Sequence, residues 1–167
     1  MSRVAIGLGA NLGDREATLR EAVQRIARLG RIEAVSSTYE TAPWGKTDQP
    51  EFLNAALLLD TALAPRDLLD ALLEIERGLG RDRSREQRWG PRAIDLDILL
   101  YGDVVSTGDP AIPHPRLHER AFALLPLAEI APGLVHPRLQ ARVDELARRV
   151  DASGVRRLGE GSARLDQ

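Results

Sequence analysis

The chain has 167 residues, 43% of them hydrophobic and 29% charged, with 23 basic against 25 acidic side chains and a formal net charge of −2. That length predicts one domain over residues 1–167, with enough apolar content to bury a core without staples. The near-neutral balance and 4% aromatics argue against a protein that holds nucleic acid through a broad basic field, and the lack of cysteine excludes disulfides and thiolate metal sites.

The N-terminus shows no charged-then-apolar leader and no apolar run reaches bilayer length. A cytoplasmic monomer with no membrane and no nucleic-acid partner is expected. Val4 to Leu8 reads as a buried first strand, followed by a loop over residues 9–13. Gly7, Gly9 and Gly13 invite comparison with a dinucleotide fingerprint, but the spacing G-x-G-x-x-x-G is one residue too long. The plainer reading is a tight turn. Asp14 is a good cap for a helix whose apolar positions are Leu19, Ala22, Val23, Ile26 and Ala27.

Ile32 to Tyr39 predicts a second strand, and Thr41 to Pro50 a long polar loop of the kind that often serves as a lid. Phe52 to Asp60 predicts a third strand, on which Phe52 and Asn54 share a face. An aromatic face beside an amide with both donors and acceptors suits a flat heterocycle; core packing is the bland alternative. Pro65 opens a second helix, with Leu68, Leu69, Leu72, Leu73, Ile75 and Leu79 on its apolar side and Gly78 or Gly80 at its end. Glu76 lies where the helix dipole disfavours an anion, so a nearby cation such as Arg81 or Arg83 is expected.

The most informative stretch is Arg88-Trp89-Gly90-Pro91-Arg92-Ala93-Ile94-Asp95-Leu96-Asp97-Ile98-Leu99-Leu100. Ile94, Leu96, Ile98 and Leu100 alternate with Asp95, Asp97 and Leu99, which predicts a half-buried strand. The two aspartates then share a face, roughly 6–7 Å apart at the backbone. Hard carboxylate oxygens suit Mg²⁺, which takes few carboxylates and completes its shell with substrate phosphates. Arginine forks at positions 81, 83 and 92 suit phosphate oxygens. Val104-Val105 suggests a short return strand, residues 117–125 a helix, 143–150 an amphipathic helix and 155–158 a brief strand. His118 and His136 read as surface residues. The order through Leu100 is β-α-β-β-α-β, an α+β ferredoxin-like sandwich with an antiparallel sheet and C-terminal additions.

The central stretch, with Ile6-Gly7-Leu8-Gly9-Ala10-Asn11-Leu12, Asp48-Gln49-Pro50-Glu51-Phe52-Leu53-Asn54-Ala55-Ala56 and Pro113-His114-Pro115-Arg116-Leu117-His118-Glu119-Arg120, resembles the 6-hydroxymethyl-7,8-dihydropterin pyrophosphokinases of folate biosynthesis. The resemblance implies transfer of a diphosphate from ATP to the pterin hydroxymethyl group. It implies that Asp95 and Asp97 bind two Mg²⁺ ions, and that Arg81, Arg83, Arg92, His114 and Arg120 hold phosphates. Arg81, Arg92 and Asp97 would be the catalytic set. Glu76 and Ile98 would line the nucleotide, Phe52 and Phe122 sandwich the pterin, Asn54 read its edge, Thr41 and the Trp44 backbone assist, and Trp89 cover the site. Leu73 and Pro115 depart from the polar and aromatic nucleotide contacts of some members. Two other readings compete. A Mg²⁺-dependent phosphohydrolase or nuclease would use the aspartates alone, and a nucleic-acid-binding module would need exposed aromatics on neighbouring central strands.

Overall fold

The computed structural model describes residues 1–41, 51–81 and 93–158. In chain order its elements are β1 (Ser2–Ala10), α1 (Arg15–Ile26), β2 (Arg31–Val35), β3 (Tyr39–Thr41), β4 (Phe52–Thr61), α2 (Pro65–Gly78) and β5 (Asp95–Tyr101), then α3 (Ala121–Ile130), β6 (Val135–His136), β7 (Ala141–Arg142), α4 (Val143–Arg149) and β8 (Val155–Arg157). The main sheet runs β5-β1-β4-β3-β8, with β2 also on β4, and every pairing is antiparallel. This is the ferredoxin-like plan, with its second strand delivered in two pieces.

The single strand expected over residues 32–39 is broken for a local reason. Ser36 turns its hydroxyl into the ladder and accepts the Ala56 N–H at 2.9 Å, while its own N–H donates to the Ala56 carbonyl at 2.9 Å. A side chain thereby takes the place of a main-chain partner, and β2 and β3 separate around it. The first strand is longer than expected. It reaches Ala10, so Gly7 and Gly9 lie within the sheet and only Gly13, at φ +60°, occupies a left-handed turn.

One sheet face, bearing Val4, Ile6, Leu8, Leu57, Leu59, Leu96 and Ile98, packs under α1 and α2. Asp14 caps α1 by accepting the Ala17 N–H at 3.1 Å, and Pro65 enters α2 at its first turn. The other face, bearing Ala5, Ala56, Leu58, Leu99 and Leu100, is covered by α3 and α4. Helix α3 runs to Ile130, past the expected end at 125, and carries Pro126 inside it. Its sequence is apolar nearly all round, as a helix buried between a sheet and a second helix requires.

β5 departs from simple alternation. Val4 and Ala5 pair with Tyr101 and Leu100, but Ile6 pairs with Ile98, so Leu99 is an extra residue. This bulge puts Leu99 and Leu100 on the same face and gives Tyr101, rather than Leu100, to the α1/α2 side. Val104-Val105 forms no strand; the return is a single bridge between Ser106 and Ile112. The β6–β7 hairpin was not anticipated, and it corrects the reading of His136. That side chain is buried, with Nδ1 accepting the Leu139 N–H at 3.1 Å. No helix among the described residues is long and apolar enough to cross a membrane.

Gly30 enters β2 hard against β4, where an added Cβ would lie 2.2 Å from the Asp60 carbonyl oxygen. Neither main chain can yield without breaking the sheet. Gly30→Ala is expected to lower unfolding stability by about 1–3 kcal/mol, the usual scale of overpacking, as read by urea denaturation.

Candidate active site

The site is assembled on the α3 face of the sheet. Gly9 of β1 pairs with Asp95 on one side and Asn54 on the other, while Gly7 pairs with Asp97 and Ala56. Strands are spaced ~4.8 Å apart, so the aspartate row and the Asn54 row lie about 10 Å from each other. Side chains crowd the space over both glycines. A Cβ on Gly9 would sit 2.8 Å from Asn54 Oδ1, and one on Gly7 would press on the Leu99 side chain at 3.3 Å. The glycines therefore make a flat floor between the two rows.

On one side of this floor, Asn54 donates its amide N–H to Thr41 Oγ1, and both residues are buried. Phe52, paired with Thr41, is half-buried on the same face. On the other side stand Asp95 and Asp97. Helix α3 begins at the Asp97 row: Arg120 lies at its N-cap position and brings Nη1 to 3.9 Å from Asp97 Oδ2. The Arg120 guanidinium also lies 5.5 Å from the Phe122 ring centroid, within cation–π reach. Burial pushes the Asp97 carboxyl up to about 7, helped by the charges of Asp95 and Glu76, while Arg120 and Arg81 pull the other way. Two carboxylates side by side on one strand face, offering only hard oxygens, fit a divalent cation.

Beneath this pair is a buried ion network. The last turn of α2 closes in a Schellman motif. The Arg81 N–H donates to the Glu76 carbonyl at 3.0 Å and the Gly80 N–H to the Arg77 carbonyl at 3.1 Å, with Gly80 at φ +98°. The motif turns Arg81 back under the helix. Its Nη1 reaches Glu76 Oε2 at 3.1 Å, Asp95 Oδ1 at 2.9 Å and the Ile94 carbonyl at 3.2 Å. Glu76 Oε2 also accepts the Leu96 N–H at 2.8 Å. The cation expected near Glu76 is therefore Arg81.

Arg81 is buried against Glu76 and Asp95, and the buried Glu76 carboxylate faces Arg81 and the β5 backbone. Ile98 is likewise in the α1/α2 core, so its side chain does not line the aspartate face. Trp44, Arg83, Trp89 and Arg92 lie outside the described residues.

His114 is brought alongside β5 by a hydrogen bond from its N–H to the Leu99 carbonyl at 2.9 Å. Nδ1 accepts the Arg116 N–H at 3.1 Å, which leaves the proton of the neutral ring on Nε2 as a donor. Burial, then the charge of Arg120, lowers its pKa to about 4, against a smaller opposing pull from Asp95. His118, by contrast, is exposed as expected.

The family model described as 7,8-dihydro-6-hydroxymethylpterin-pyrophosphokinase (HPPK) matches residues 5–132. The chain belongs to the HPPK family. A 2-amino-4-hydroxy-6-hydroxymethyldihydropteridine pyrophosphokinase of Methylorubrum extorquens is 48% identical over 161 residues, covering 95% of this chain and 99% of that one. The Bacillus subtilis protein of the same name is 45% identical over 154 residues, covering 90% and 91%. Among solved structures, wild-type HPPK-DHPS of Plasmodium falciparum with STZ-DHP superposes with a TM-score of 0.70 at 16% identity over 89% of this chain. The chain spans 43% of that longer protein, and the likeness is one of fold. The HPPK match takes in both rows of the site and ends just beyond α3, leaving β6, β7, α4 and β8 outside it.

Two outcomes check this geometry. Glu76→Ala removes one buried carboxylate from Arg81 and the acceptor of the Leu96 N–H, and is expected to cost about 3–5 kcal/mol, the scale for breaking a buried pair. Glu76→Gln, which still accepts from Leu96, should cost less by denaturant unfolding. For His114, the folded value of about 4 lies below the unfolded 6.5. Between these pH values the unfolded chain binds the extra proton, so this group's contribution falls as pH drops through the window. The stability of wild type relative to His114→Gln, measured without metal or ligands, should therefore decline from pH 7 to pH 4.5.

Proposed function

We infer that the protein is an ATP-dependent diphosphotransferase, the pyrophosphokinase that converts 6-hydroxymethyl-7,8-dihydropterin to its diphosphate in folate biosynthesis. One observation carries this beyond the family match. A single sheet face sets an oxygen-only aspartate pair and the Asn54–Thr41 pair on opposite sides of a glycine strand. A flat heterocycle on the Asn54 side and a polyphosphate on the aspartate side would meet over Gly7 and Gly9.

In the proposed reaction the pterin hydroxymethyl oxygen bonds to the β-phosphorus of ATP. The bond from that phosphorus to the α–β bridging oxygen breaks, AMP leaves, and the hydroxyl proton is lost. Positioning and charge compensation dominate such transfers. Asp95 and Asp97 would hold two Mg²⁺ ions, which supply Lewis-acid stabilisation of the phosphate oxygens. Arg81 would aim Asp95. Arg120 and the Nε2–H of His114 would donate to phosphate oxygens, joined by Arg83 and Arg92. Asn54 and Thr41 would read the pterin edge, with Phe52, Phe122, Trp44 and Trp89 contacting the pterin or enclosing the site.

The experiment is to incubate the protein with ATP, Mg²⁺ and 6-hydroxymethyl-7,8-dihydropterin and to separate the nucleotides. AMP should form only with the pterin, one for each pterin consumed. Asp97→Asn should lower turnover by at least about 100-fold, since metal stabilisation is worth several kcal/mol, while leaving the fold intact. ADP as the main product would mean an ordinary kinase, and AMP made equally fast without pterin a hydrolase.

A further inference from the structure

Strand β8 lies beyond the end of the family match at residue 132, yet it holds the strand that supplies Thr41. β3 has only three residues. It pairs with β4 on one side, setting Tyr39 opposite Asn54 and Thr41 opposite Phe52, and with β8 on the other, setting Tyr39 opposite Arg157 and Glu40 opposite Arg156. Because successive side chains point to opposite faces, the two arginines grip different partners.

On the α1 face, Arg156 bonds Glu40 and lies 3.7 Å from Glu51. Arg15, at the start of α1, reaches the same two residues, bonding the Glu40 carboxylate at 3.2 Å and the Glu51 carbonyl at 2.7 Å. On the α3 face, Arg157 lies 3.6 Å from Glu129 and bonds Ser37 Oγ at 3.1 Å. Glu129 in turn accepts from Tyr39 OH at 2.8 Å and from the Ser37 N–H at 2.9 Å. Leu158 completes the strap by donating its N–H to the Thr38 carbonyl at 3.0 Å and packing against the core.

Resting on the functional reading above, we infer that Arg156 and Arg157 are positioning residues for the pterin half of the site. They touch neither row of the site themselves. They hold β3 from both faces, and with it the Thr41 hydroxyl that orients Asn54, while the aspartate row, on the far side of β1, does not depend on them. Each exposed ion pair alone would be weak, but here the two arginines together engage three carboxylates and the Ser37 hydroxyl around one three-residue strand.

The test is steady-state kinetics of the full chain carrying Arg156→Ala, Arg157→Ala, both together, and Arg156→Lys, with thermal melting of each. The double variant should raise the pterin KM by about tenfold, with the ATP KM and the rate at saturating pterin within about twofold of wild type. Arg156→Lys, which keeps the charge, should recover much of the loss seen for Arg156→Ala. A lower melting temperature with unchanged pterin KM would overturn the proposal and leave β8 a purely stabilising strand, as would equal rises in both KM values. If the double variant is not folded at assay temperature, the single variants carry the same comparison. A wild type that makes no pterin-dependent AMP would remove the functional reading itself, and this proposal with it.

Discussion

The buried carboxylate of Glu76 is the constraint on which the aspartate half of the candidate site is built. It satisfies the main-chain N–H of Leu96 and neutralises Arg81, and through Arg81 it reaches Asp95. A helix C-terminus is a poor place for an anion. The residue is tolerable there only because the Schellman turn at Gly80 folds a guanidinium directly onto it. Helix α2, the start of β5 and the first aspartate are thus fixed by one charge cluster. The cluster would cost stability if any member were lost, because the survivors have no water to turn to.

The second half is organised by absence of side chains. Two glycines in the central strand keep the floor low, and on either side of it the sheet carries opposite chemistry: an amide–hydroxyl pair on β4 and β3, and a pair of carboxylates on β5. Rigidity comes from the central position of β1, which is paired along both edges. Preorganised groups on strands need little rearrangement to meet a substrate, which is the requirement of a reaction governed by positioning.

Much of this was legible in the chain because the signals are local. Alternation marked β5 and placed Asp95 and Asp97 on one face, Asp14 marked the start of α1, and Pro65 with Gly78 or Gly80 bracketed α2. What was missed depends on distant partners. Arg81 reads as a cation near Glu76 and a phosphate contact, but its burial and its bond to Asp95 follow only when helix α2 and β5 converge on it. Gly7 and Gly9 look like a turn beside Gly13, because nothing local says that a strand will pair on both sides of them. Ser36 breaks the second strand through a bond to Ala56, twenty residues away. His136 reads as a surface residue until the β6–β7 hairpin encloses it.

The extra residue at Leu99 has a consequence for how the chain tolerates change. Above it, Tyr101 is locked to the α1/α2 side by its hydroxyl on the Leu63 carbonyl; below it, Leu96 is tied to Glu76. The two ends of β5 are thus anchored in opposite parity, and one surplus residue reconciles them. Deleting a single residue between 98 and 100 would remove the surplus and restore plain alternation, with Leu96, Ile98 and Tyr101 still on one face; pairing all the residues in strict alternation would instead turn one end over, sending either the aspartates into the hydrocarbon core or Tyr101 out of it. The bulge therefore absorbs one residue of length, so that this strand is held by the faces of its anchors rather than by an exact residue count.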